Sequence, residues 1–406
     1  MKNILIVEPS FYGVSFAKEA KKLGNKVVAL VTNSNDPKKY GYEDYVDKLI
    51  ICDIRSADSM YEAICSNGYL GQVDALISGT DYALAETAKV AEKLGIFGIS
   101  YRTAVLARNK DKAREVFQDK GVPSAKYSVV KNVKEAREAA QEIGYPVVLK
   151  PTNAASSQNV FFIDDEDSLL RAFDTISGFK TSYMNFDIRD EYLIEEYLEG
   201  QEFSVEIFVK NSKIIFSEVT EKITTPLPYF VEEFHIFPTS VYQNKKNEII
   251  TTAKQGLEAI GFSDGPAHVE VKYTKKGAKI IEINGRPGGD NITSDLIVDA
   301  YGINIFKETI LLYLGELEEI SPKKDEAAAI GFILSNEDRY NVSLKHIDEV
   351  LEDKSIVRYD IRKKHFTAIK QAKSSDDRLG YIIIKAEAPN IAKEKITSLL
   401  AKIKFE

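Results

Sequence analysis

Residues 280–290 read IIEINGRPGGD. Successive residues of a strand point to opposite faces, so Glu282, Asn284 and Arg286 share one face while Ile281, Ile283 and Gly285 share the other. The stretch AHVEVKYT at 267–274 alternates in the same way and puts His268, Glu270 and Lys272 on one face. The two are joined by KKG, whose glycine suits the positive φ of a hairpin turn. Such a hairpin brings Glu270 beside Glu282. Two carboxylates and an amide oxygen held this close repel unless a cation lies between them. Oxygen-only ligands favour Mg2+, completed by water and substrate phosphates. Arg286, next along the strand, would carry charge to whatever oxyanion the metal holds. The plain alternative is a solvated strand face with cross-strand Lys–Glu pairs. The joint occurrence of these residues, followed by the backbone-exposing PGGD, favours a site.

The chain around this hairpin has 406 residues, more than one hydrophobic core usually serves, so two or three domains are expected. With 44% hydrophobic and 29% charged residues, the composition is that of an ordinary globular protein. A net charge of −8 provides no global positive field for a polyanion, which argues against nucleic acid as partner. Cys52 and Cys65, the two cysteines, lie in no CxxC or His-rich setting, so a disulfide framework or thiolate zinc site is not expected. The N-terminus MKNILIVEPS has an apolar run too short for a signal peptide, and no apolar stretch is long enough to span a bilayer. No membrane partner is expected, and the expected location is cytoplasmic.

Residues 1–107 alternate short apolar runs (NILIVE, KVVALVT, VDALISG) with helical patterns (GVSFAKEAKKLG, ALAETAKVAEKLG), the rhythm of a parallel α/β sheet. No GxGxxG follows Gly13, so a dinucleotide fingerprint is lacking. From residue 108 the texture changes to a charged helix, RNKDKAREVFQDKG, and then to YPVVLKP, YLIEEYL, EFSVEIFV and SKIIFSEV. The alternation in the later strands predicts antiparallel sheet with one wet face. The polar EISPKKDE near residue 320 marks a boundary, after which strands and a final helix predict a small α+β domain over 321–406.

Lys150 ends an apolar strand and precedes PTNAASSQNV, a polar loop of small residues that includes Ser156 and Ser157. A strand-end lysine with such a loop behind it is one way to hold a polyphosphate. Lys110 is a second candidate, since a cation at a helix start is otherwise disfavoured by the dipole. In LIEEYLEGQEFSVEI the segment around Glu195 and Glu196 forms an extended hinge whose backbone could meet a base edge, with Glu202 placed to accept ribose hydroxyls.

The ordered set NK at 109–110, PVVLKP at 146–151, EEYLEGQEFSVE at 195–206, HVEV at 268–271 and EINGRPGG at 282–289 resembles the ATP-grasp superfamily of carboxylate–amine ligases. The resemblance covers nearly the whole chain. FVEEFHIFP at 230–238 and SSDDRLGYIII near the C-terminus are most similar to the L-amino acid ligases that make dipeptides. The resemblance implies an ATP-grasp fold: a Rossmann-like N-terminal α/β domain over 1–107, an ATP-grasp domain over 108–320 with a lid near 127–198, and the small C-terminal α+β domain. It implies ATP and Mg2+ (or Mn2+) as cofactors, and small carboxylate and amine substrates. Lys110, Lys150, Ser156 and Ser157 would meet ATP phosphates. Glu195 and the backbone of Glu196 and Leu198 would meet adenine, and Glu202 the ribose. Glu270, Glu282 and Asn284 match the metal ligands, and Arg286 the arginine that steadies the phosphorylated intermediate. His235, His268, Gly288 and Gly289 fall where substrate contacts are expected. A homodimer is expected by the habit of the superfamily. The loop at 151–160 departs from many relatives in having no glycine, so a stiffer loop is expected. Two other functions fit the same fold: an ATP-binding sensor without turnover, and a carboxylase that uses bicarbonate.

Overall fold

The computed structural model of the chain describes all residues except Ser156, Tyr183 and Met184. Strands β1 (Asn3–Val7), β2 (Lys26–Val31), β3 (Lys48–Ile51) and β4 (Ala75–Ser78) form a parallel sheet in the order β3-β2-β1-β4. β1 and β2 are apolar on both faces because helices cover both. β3, LysLeuIleIle, is the strand that apolar runs alone do not reveal, since its four residues follow a charged turn and include one exposed isoleucine.

A second sheet combines β5 (Tyr127–Val130), β6 (Val147–Pro151), β7 (Phe161–Ile163) and β8 (Tyr192–Glu196) in the order β5-β8-β6-β7. Helices Val133–Ile143 and Glu166–Ser177 bury one of its faces through Ala136, Ala140, Leu169 and Phe173. The second helix starts at a capping box between Asp165 and Ser168, which satisfies two of its orphan N–H groups.

The third sheet has eight strands, all paired antiparallel, in the order β13-β12-β9-β10-β11-β14-β18-β16. Its members are β9 (Gly200–Lys210), β10 (Lys213–Thr224), β11 (Glu232–Phe237), β12 (Gly265–Thr274), β13 (Gly277–Asn284), β14 (Ala327–Ile333), β16 (Ile356–Ile361) and β18 (Gly380–Ala386). Phe203, Val205, Val269, Val271 and Ile283 point to one face, against helix Gln243–Ile260. Gly256 of that helix lets it approach closely, because a Cβ there would lie 2.3 Å from Ile280 Cδ1. The sheet runs unbroken across residue 320, since β14 pairs with β11 through His235↔Ile330. The C-terminal segment also contributes β15 (Arg339–Lys345), β17 (His365–Ile369) and β19 (Lys404–Phe405), a separate three-stranded sheet.

The hinge in EEYLEGQEF is where the chain changes sheets: β8 belongs to the second sheet and β9 to the third, so residues 197–199 cross from one to the other. One expectation changes at this level. The polar face of β9, β10 and β12 is not wet: Ser204, Glu206, Glu218, Thr220, Lys222 and His268 are all buried. Alternation reports that one face is polar. It does not report what covers it.

Candidate active site

That polar face is the floor of a cavity of about 870 Å³, roofed by the second sheet and flanked by the N-terminal sheet and the C-terminal segment. The volume lies in the upper part of the range typical of ligand pockets. Apart from Ser156, which lies outside the described residues, every candidate of the sequence reading lines it: Lys110, Lys150, Ser157, Glu195, Glu196, Leu198, Glu202, His235, His268, Glu270, Glu282, Asn284, Arg286, Gly288 and Gly289.

Register explains the convergence. β12 and β13 pair Glu270 with Glu282 and His268 with Asn284, while β9 sets Ser204 beside Glu270 and Glu206 beside His268. Directly opposed strand residues have Cβ atoms about 5 Å apart, so the two carboxylates face one space. His268 Nδ1 lies 2.7 Å from Glu206 Oε1, and its Nε2 lies 3.5 Å from Glu270 Oε1. Burial opposes the imidazolium, but the two carboxylates hold it protonated, with its pKa raised to about 9. Glu270 is likewise desolvated, yet Lys222 and His268 keep its carboxyl well below the usual range.

The cationic side of the cavity comes from three places. Lys110, at the start of helix Lys110–Lys120, donates to Ala154 O at 2.7 Å and lies 3.0 Å from Glu282 Oε1. These contacts offset its unfavourable position on the helix dipole. Lys150 on β6 lies 2.5 Å from Glu195 Oε2. Arg286 donates from Nε to both oxygens of Asp81 at 2.7 Å, with its guanidinium 5.4 Å from the Tyr12 ring. Asp81 and Tyr12 come from the N-terminal domain, so that domain supplies part of the wall. The loop 151–160 follows Lys150, and in it Ser157 and Asn159 take left-handed backbone that glycine adopts at least cost.

Geometry redirects some of the expected roles. The Glu195 carboxylate accepts from Arg114 Nε at 2.7 Å as well as from Lys150, both buried, so it is committed to protein cations and leaves a base edge to the backbone. The Glu196 carboxylate is held by Lys279 Nζ at 2.6 Å and by the Lys126 N–H. Glu202 lies 2.9 Å from Lys222 and 3.6 Å from Lys272. His235 Nε2 lies 3.3 Å from Asp290 Oδ2.

Several cavity residues escape a sequence reading. Lys222 on β10, Glu232 on β11, Asp290 and Arg378 form an ionic chain, buried at Lys222 and Glu232, in which Arg378 meets Glu232 at 2.7 Å and Asp290 at 3.0 Å. Arg378 also stacks on Phe332 at 3.7 Å. The available signal was SSDDRLG, a polar turn directly before an apolar strand, with an arginine that a surface turn does not require.

Among the described residues no three His, Cys, Asp or Glu side chains cluster as a complete metal cage. Glu270, Glu282 and Asn284 nevertheless present oxygen donors on one floor, which fits a hard cation that takes its other ligands from phosphate and water. In this structure Glu282 pairs with Lys110 and Glu270 with Lys222, each at 3.0 Å, so a cation entering there would share these carboxylates with the ammonium groups.

The cavity thus has a polar sheet floor faced by two lysines, under a small antiparallel lid and beside a parallel N-terminal sheet. Residues 143–295 match the ATP-grasp domain. Residues 342–406 match the L-amino acid ligase C-terminal domain 2. Among curated relatives, the alanine–anticapsin ligase of Bacillus subtilis is 29% identical over 264 residues, 61% of this chain and 55% of that protein. The chain thus spans about half the length of that relative. The L-arginine-specific L-amino acid ligase of Bacillus subtilis is 24% identical over 301 residues, 73% of this chain and 71% of that protein. The crystal structure of an L-amino acid ligase from Bacillus licheniformis superposes with a TM-score of 0.81 at 20% identity, covering 100% of this chain and 98% of that one, a likeness of fold. Among the described residues no helix is long and apolar enough to cross a membrane.

Proposed function

We propose that the chain is an ADP-forming ligase that joins the carboxylate of an amino acid to the amine of a second one through an acyl phosphate. The observation that carries this reading is the opposition, in one cavity, of Glu270, Glu282 and Asn284 to Lys110, Lys150 and Arg286. The kinship to amino acid ligases supports the choice of substrates.

A substrate carboxylate oxygen attacks the γ-phosphorus of ATP, the bond from that phosphorus to the β-phosphate oxygen breaks, and ADP leaves. Repulsion between the two anions is the main obstacle. Lys110 and Lys150 offset it on the phosphate side, and Arg286, held in place by Asp81, offsets it at the acyl phosphate. Glu270, Glu282 and Asn284 would hold Mg2+, which when bound supplies further charge neutralisation of the phosphates. The amine nitrogen then attacks the acyl carbon, phosphate leaves, and the amine releases its proton. The lid of β5–β8 over the cavity keeps water from the acyl phosphate. No nucleophilic side chain is required.

The test is incubation with ATP, Mg2+ and pooled pairs of amino acids, measuring ADP, phosphate and product mass. A product lighter than its two parts by one water supports the proposal. AMP and pyrophosphate would overturn it. ATP binding without turnover across all pools would favour the sensor, and bicarbonate-stimulated ATPase without amine the carboxylase.

A further inference from the structure

Lys222 lies on β10 and Glu270 on β12, with β9 between them. Strands are spaced about 4.8 Å apart, so the lysine must lie along the floor to reach its partners. Its ammonium is 3.0 Å from Glu270, 2.9 Å from Glu202 and 3.6 Å from Glu232. The first two lie at hydrogen-bond distance and the third at ion-pair distance, and the carboxylates come from three different strands. The residue is buried, where an unpaired charge is costly, so this is a built arrangement rather than a surface pair. Two of the three carboxylates are also those that the proposed reaction needs, Glu270 for metal and Glu202 for ribose.

We propose that Lys222 is a positioning residue, a built-in counter-cation that competes with the divalent ion for Glu270 and so makes metal entry depend on nucleotide. This rests on the reading of Glu270 as a metal ligand. Arg378 and Lys272 also face Glu232 and Glu202, so the cluster holds no surplus of negative charge, and a divalent ion at Glu270 must either displace Lys222 or share the carboxylate with a second cation 3.0 Å away. Displaced from Glu270, the ammonium keeps Glu202 and Glu232 but stays close to the divalent ion, and phosphates arriving with the metal offset that repulsion by adding negative charge beside both cations.

The test is Mn2+ titration of the full chain without nucleotide, with free Mn2+ followed by electron paramagnetic resonance. Lys222→Met should bind Mn2+ at least tenfold more tightly than the wild type, while Lys222→Arg, which keeps the charge, should remain as weak as the wild type. A Lys222→Met/Glu232→Gln variant removes one charge of each sign, and gives the same comparison if the single variant does not fold. Equal affinities of the wild type and the Met variants overturn the proposal. A further arm separates this from the metal site itself: with ATP present, Glu270→Gln should weaken Mn2+ binding. If it does not, the assignment of Glu270 fails and the inference falls with it.

Discussion

Gly288 and Gly289 are adjacent, both line the cavity, and nothing in their sequence separates them, yet the structure assigns them different tolerances. A Cβ built on Gly288 lies 2.6 Å from Glu206 Oε2 and 2.7 Å from His268 Nδ1, whereas one built on Gly289 meets no heavy atom within 4 Å. Neither residue has positive φ, so backbone strain does not enter. Ordinary contact begins near 3.4 Å, so Gly288→Ala must push the pair by about 0.7 Å. The pair cannot swing aside: both residues are buried, and Glu206 also accepts from Ser204 at 3.0 Å. Overpacking of this kind costs about 1–3 kcal/mol, and loosening a buried charged hydrogen bond about 1–3 more. The Tm should therefore fall by roughly 5–10 °C. Displacement of His268 passes to Glu270, so turnover should drop about 10- to 100-fold. Gly289→Ala should leave Tm within about 2 °C of the wild type. The assay is thermal denaturation alongside ATP-dependent phosphate release with a turnover-supporting amino acid pair. Indistinguishable behaviour of the two variants would refute the geometry.

Two further outcomes follow from residues that sequence alone leaves silent. Glu8 is buried after β1, and burial, with Asp36 nearby, pushes its carboxyl up to about 8. The folded state thus keeps a proton that the unfolded chain releases near 4.5, so stability is lost as pH rises from about 4.5 to 8 and levels off beyond. Glu8→Gln should remove this slope, gaining on the order of 3–5 kcal/mol over the wild type at pH 8 but little at pH 4.5. A stability difference that stays constant across this range would contradict the assignment. Arg378→Ala should raise KM for the amino acid substrates about tenfold or more while changing KM for ATP less, because its partner Asp290 pairs with His235 on the expected substrate side. The reverse pattern would remove Arg378 from the substrate side.

The alternation in EFSVEIF, HVEV and IIEIN made the polar floor legible, because a pleated strand forces period-two segregation whatever surrounds it. The short hairpin turn before β13 likewise implied that Glu270 and Glu282 meet, as their register confirms. Lys110 and Lys150 stood out as cations at element ends, although their commitment to Glu282 and Glu195 did not. Lys222, Glu232 and Arg378 were illegible for the opposite reason. A lone charge on a strand or turn has the same local pattern whether water or another strand faces it.

What the sequence by itself determined is the set of local geometries: parallel α/β units at the start, alternating strands after them, and which side chains share a face. These follow from backbone stereochemistry and side-chain period, which act over a few residues. The tertiary structure alone decided that the polar face is covered, that Asp81 of the N-terminal domain clamps Arg286, and that Arg378, 146 residues after Glu232, closes the ionic chain. Those contacts depend on strand order and register across hundreds of residues. Pairing energies between distant charges leave no periodic trace along the chain, so they become visible only when the sheet is assembled.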